Sequence, residues 1–244
     1  MRASDGTLYL MMLNTSGGMV GGDRLRTTVE FGPDAAAALV TASAGKAYRT
    51  IGAPAIQETY IRLGRGSTLE YLPDHLIPHP GAAVHQSLRV EMEPGSRAII
   101  YDAFGAGRIG RGERWVFREL ITETMVTCGS RPLYINRARI TPSIDPLNQL
   151  LWVKDFNYVA GIVVVAPCAE DGNAYQWSAL TDAVDVELGE YAGVLGGVSE
   201  LGGGGVAVRF MTYRASELTL VTRSLWSIAR RFVLGREAFE CRKF

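Results

Sequence analysis

Three segments of this chain repeat one pattern of strand, tight turn and strand at intervals of roughly 30 residues, and nothing else narrows its fold as much. In the first, Leu25, Thr27, Val29 and Phe31 alternate with polar residues, Gly-Pro-Asp-Ala follows, and Leu39 resumes the apolar run. The second runs Thr59, Ile61, Leu63, then Gly-Arg-Gly-Ser, then Leu69 and Tyr71. The third runs Leu88, Val90, Met92, then Glu-Pro-Gly-Ser, then Ile99 and Tyr101. Period-two alternation marks half-buried strands, and recurrence at a fixed interval marks stacked β units. The expected fold is mainly β. Stacked or helically wound β layers and a plain sandwich of hairpins both satisfy the pattern.

Further strands are expected over 113–126, where five charged residues also leave a helix open, and over 132–140, 150–156 and 159–166. Residues 174–194 read ambiguously, with a short helix over 179–186. The glycine-rich stretch 196–205 reads as a connection before a strand through Val206, Val208 and Phe210. From Ser216, the expected N-cap, Leu218, Val221, Leu225, Ile228, Ala229 and Phe232 recur at helical spacing. Arg223, Arg230 and Arg231 fall largely off that stripe, and Gly235 supplies the stop. No linker interrupts the chain, so one domain over 1–244 is expected, a β body to residue 214 followed by a helix and short tail over 215–235.

Basic and acidic residues balance, 25 against 25, which gives no basic surface to advertise nucleic acid or an anionic membrane. The start lacks the apolar core of a secretory signal, and the longest apolar run, Val159 to Pro167, is too short to span a bilayer. Three widely separated cysteines, Cys128, Cys168 and Cys241, fit reduced thiols in a cytoplasmic protein.

Motifs of catalysis are missing from the sequence. Glycines 202–205 lead into a strand instead of a helix and lack the lysine of a phosphate loop. No nucleophile elbow surrounds Ser16, and Glu91 and Glu93 alternate with Val90 and Met92 as a solvated strand face. His75, His79 and His85 cluster with Asp74, and imidazole is a common ligand for borderline metals. Pro73, Pro78 and Pro80 forbid the helix that would put His75 and His79 on one face. A transient ligand region fits better than a preformed site.

Between two strand-like runs lies Asn14-Thr-Ser-Gly-Gly-Met-Val-Gly-Gly-Asp-Arg24. Gly17, Gly18, Gly21 and Gly22 describe a tightly specified corner with Asp23 at its exit. In order after it come Lys46-Ala-Tyr48-Arg49, Leu69-Glu-Tyr-Leu-Pro73, and Asp102 followed by Gly107-Arg108 and Gly112-Glu113. Arg137 and Arg139 lie farther on. This series resembles the urease accessory protein UreD family, called UreH in some bacteria, over roughly residues 8–140.

The resemblance implies a non-catalytic scaffold of stacked β-strands with helices near the C-terminus. It implies that UreF, the GTPase UreG and apo-urease are the partners, and that nickel is passed transiently to the carbamylated-lysine site of urease with no tightly bound cofactor. Asp23 is then the first candidate for a passage-lining carboxylate and Asp102 the second, with His75 and His79 as further transient ligands. Lys46, Tyr48 and Arg49 are expected to order the corner or pair with these acids. Two departures stand out. Relatives usually carry extra residues before the strand that begins near Thr7, and Asp74-His75 stands where an acid or glutamine followed by glutamate is usual. Two rival readings are an unrelated β-structured binding module and a metal-dependent enzyme using His75, His79 and Asp74.

Overall fold

Each of the three repeats carries the chain round a corner from one sheet to another. The computed structural model describes residues 6–144, 156–167 and 175–239. In it, β2 (Arg24–Phe31), β5 (Ala55–Leu63) and β8 (Ala83–Met92) lie in one sheet. Their continuations across the turns, β3 (Ala36–Thr41), β6 (Thr68–Leu72) and β9 (Arg97–Gly105), lie in a second. Successive strands pair in parallel within each sheet. Arg24 faces Ile56 and Ala55 faces Val84 in the first; Ala36 faces Thr68, and Thr68 faces Arg97, in the second.

Parallel neighbours cannot be hairpins, so the chain winds in coils and the sandwich of hairpins is set aside. The corner turns stack too. Thr68 donates its backbone N–H to Ala35 O at 2.8 Å, and Arg97 to Ser67 O at 2.9 Å.

A short branch extends the second sheet, with β7 (Leu76–Pro78) pairing in parallel with β9 at Leu76 and Phe104. β4 (Gly45–Ala47) pairs in parallel with β7, and Met19 bridges to Ala47 on the far side. These two strands were not expected. Three residues each, they are too brief for alternation to register.

β1 (Leu8–Met12) adds to β3 at the edge of the second sheet. β10 (Glu119–Cys128) and β11 (Arg131–Ile140) extend the first. β12 (Tyr158–Val165), β14 (Gly205–Thr212) and β13 (Val194–Leu201) continue the second in antiparallel fashion. Helices α1 (Trp177–Gly189) and α2 (Ala215–Leu234) cover the outer face of that sheet. α2 buries Leu218, Val221, Leu225, Trp226, Ala229 and Val233 there, the larger apolar side chains contributing about 1.5–3 kcal/mol each.

Several expectations need correcting. The strand expected from 113 begins at Glu119, after a 3-10 turn (Ile109–Arg111) and a loop clasped by Arg108 and Glu113, whose side chains bond at 2.5 and 2.7 Å. The glycine-rich 196–205 stretch is mostly strand β13. A side chain at Gly196 would place its Cβ 2.9 Å from Phe210 Cβ, so close strand packing requires glycine there. The first helix is longer than expected, and the second begins after Arg214, whose backbone N–H donates to the Glu217 carboxylate at 3.0 Å. Arg230, expected off the apolar stripe, is fully buried. The expected strand over 150–156 lies outside the described residues except for Phe156, which is not in a strand, and Cys168 and Cys241 also lie outside them.

Candidate functional site: a polar cavity between the sheets

Between the sheets the inward-facing side chains change character along the strands. Near the corner turns they are apolar: Leu63, Met92, Val90 and Ile61 pack on Leu69 and Ile100. At the other end Ala55, Val84 and Leu120 form a second apolar layer with Phe104 and Leu76. Two rows in between are mostly polar, each with one leucine, Leu88 and Leu25. Thr27 pairs with Thr59, with Thr124 two strands on; Gln57 pairs with Gln86, and Gln86 with Thr122.

Buried amides and hydroxyls cost free energy unless hydrogen-bonded. Gln86 Nε2 donates to Gln57 Oε1 at 2.8 Å. The belt surrounds a cavity of about 610 Å³, lined across the gap by Tyr71, Asp102 and Phe104. The exposed segments 13–17 and 42–43 border its mouth. A cavity this large and this polar suits water and small ions.

Asp102 lies within β9, not at its end. Its carboxylate, 31% exposed, sits 3.5 Å from Arg209 Nη1. Arg209 Nη2 in turn donates to the Tyr134 hydroxyl at 2.7 Å. Burial pushes the Asp102 carboxyl above the usual carboxylate range, while the Arg209 charge and hydrogen bond pull it back.

The glycine corner forms the lip of this cavity, and its sequence follows from two contacts. A Cβ on Gly18 would lie 2.7 Å from Lys46 O, and Gly22 takes φ +87 inside a turn closed by the Asp23 N–H to Val20 O bond of 3.1 Å. Asp23 Oδ2 accepts from the Val20 N–H at 2.9 Å. Asp23 thus braces the corner from within and is not among the residues lining the cavity.

Lys46 O accepts from the Met19 N–H and Met19 O accepts from the Tyr48 N–H, both at 2.8 Å. The Tyr48 hydroxyl donates to Gly17 O at 2.9 Å. The Arg49 side chain packs beside Gly81, where a Cβ would come 3.2 Å from its Cγ. Gly18→Ala is expected to cost about 1–3 kcal/mol through overpacking against Lys46, read as a lower urea midpoint. An unchanged midpoint would mean that the corner yields easily.

His75 and His79 flank β7. Each faces a different aromatic ring. His75 packs edge-on against Tyr158 and His79 against Tyr48, at 5.2 and 4.8 Å between centroids. Burial, then Arg108, hold His79 below its usual pKa. His85 Nε2 lies 3.0 Å from Glu119, which also pairs with Arg139 at 2.8 Å. Among the described residues no three His, Cys, Asp or Glu side chains gather in a metal-holding group.

A family model described as UreD urease accessory protein matches residues 1–243. The chain belongs to this family. Proteins named urease accessory protein UreD are similar across most of its length. That of Herpetosiphon aurantiacus is 28% identical over 95% of the chain and 81% of its own length, and that of Mycolicibacterium gilvum 30% over 94% and 81%. The Picosynechococcus relative is 43% identical over 44% of the chain and 38% of its own length. Two of the UreD motifs quoted above, the glycine corner and the Lys46-Ala-Tyr48-Arg49 segment, meet in space. Met19, Ala47 and Pro78 lie side by side on neighbouring coils.

Two features escaped the sequence reading. Arg209 lay in a strand with nothing to tie it to Asp102. Glu70, within the Leu69-Glu-Tyr motif, accepts from Trp226 Nε1 at 2.6 Å and from Arg230 Nε at 2.9 Å, with both charged side chains buried. A usable signal existed: Trp226, Arg230 and Val233 recur at i, i+4 and i+7, the spacing of one helix face.

Proposed function

We propose that this protein is a non-catalytic maturation factor of the cytoplasm that binds UreF, UreG and apo-urease and conducts nickel to the urease active site through the cavity between its sheets. Membership of the UreD family supports the maturation role, and the polar belt with Asp102 between two apolar layers is the observation that carries the conduit. Interiors of this size close with apolar side chains unless something polar must be accommodated. Oxygen ligands bind borderline divalent metals more weakly than imidazole or thiolate, which permits release.

Asp102 is the passage carboxylate that meets the cation, with Asp74 and Glu123 also lining the cavity. Asp23 acts at the mouth by holding the corner in shape, and His75 and His79 contribute only transient contacts. The protein works as one unit, with the β body supplying the passage and α2 bracing it.

Co-expression with urease and the other accessory proteins tests this. The tagged chain should retain UreF, UreG and urease, and Asp23→Ala should keep those partners while lowering urease activation. Failure to retain UreF would remove the scaffold role. Full activation with Asp23→Ala would remove the role of the corner.

A further inference from the structure

Asp102, Gly161 and Arg209 stand side by side on β9, β12 and β14, paired residue to residue. Gly161 is what lets the outer two meet. A Cβ there would lie 2.6 Å from Arg209 Nη1 and 3.0 Å from Asp102 Oδ1. At 3.5 Å the ion pair is long for a charge-assisted bond, which is ordinarily about 2.7–2.9 Å. The tighter bond of the guanidinium runs to Tyr134 on β11, in the opposite sheet. Arg209 is therefore anchored across the gap and leans on a carboxylate that still faces the cavity.

We infer that Arg209 is a built-in counter-ion, a positioning residue that occupies Asp102 when no cation is there and keeps the cavity's hold on a divalent cation weak. The inference rests on the nickel-passage reading and deepens it. A cation approaching Asp102 meets a charge already balanced by a guanidinium within bonding reach, so binding requires the guanidinium to retreat toward Tyr134. Coulomb repulsion at such distances is strong in a partly dry interior. A storage site would need several anionic ligands gathered at one point with no fixed cation beside them; Asp74 and Glu123 also line the cavity, but among the described residues no three acids gather.

Titration of the full-length chain with Ni²⁺ by calorimetry decides the matter. Arg209→Gln should bind Ni²⁺ about tenfold more tightly than the parent by relief of that repulsion. Adding Asp102→Asn should abolish the gain, and Arg209→Lys, which keeps the charge, should stay near the parent. Equal or weaker binding by a folded Arg209→Gln, or a gain that survives Asp102→Asn, overturns the inference. If Arg209→Gln does not fold, Tyr134→Phe reads the same device with the opposite sign. Without its anchor the guanidinium closes on Asp102 and Ni²⁺ binding weakens, while unchanged or tighter binding overturns the inference.

Urease activation separates the two levels. Normal activation with Asp102→Asn, alongside the Arg209→Gln gain, removes the passage and keeps the counter-ion. Lost activation without that gain does the reverse.

Discussion

Arg230→Met is expected to destabilise the fold by about 3–5 kcal/mol, the usual cost of leaving one partner of a buried ion pair alone. Glu70 is 1% exposed and Arg230 fully buried, so the abandoned carboxylate has no route to water. The loss extends beyond one pair. Arg230 also donates to Thr7 Oγ1 at 3.0 Å and to Glu237 O, and its guanidinium lies 4.6 Å from the Phe239 ring centroid. One cation thereby ties β6, α2, the residue before β1 and the segment after the helix. Urea melts should show a lower midpoint at similar slope. Glu70→Gln combined with Arg230→Met should recover much of the loss, because a neutral amide oxygen still accepts from Trp226 and no charge is stranded. A loss under about 1 kcal/mol for the single variant would mean the pair is solvated in solution.

How much of this was legible in the sequence depended on how local each signal was. The alternation of Leu25 to Phe31, Thr59 to Leu63 and Leu88 to Met92 is a property of single strands, and all three formed where expected. Their parallel pairing is decided by partners 29 to 32 residues away, so alternation alone could not separate coils from hairpins. Composition misled at Gly196, where glycine permits close strand packing and does not break the strand. Arg230 falls largely off the apolar stripe by position, yet the structure buries it. Its partner Glu70, on the strand face opposite Leu69 and Tyr71, lies 160 residues away in sequence.

The cavity was least legible. Thr27, Gln57, Gln86 and Thr124 are unremarkable singly and become a belt only once the register aligns them. Asp102 was singled out by resemblance, but its partner Arg209 lies 107 residues away and joins it only through β12.

The second large effect concerns Asp102. Asp102→Asn keeps the size of the side chain and removes its carboxylate, so the fold and partner surfaces should survive while the cavity loses that ligand beside Arg209. Losing about 1.4 kcal/mol of cation stabilisation there lowers occupancy about tenfold. The decisive measurement is the nickel content and specific activity of urease purified from cells co-expressing the Asp102→Asn chain, with UreF, UreG and urease co-purifying as with the parent. Conduction through the cavity predicts that both quantities fall together by about tenfold at limiting nickel. Urease carrying full nickel and full activity, with the complex intact, would contradict it.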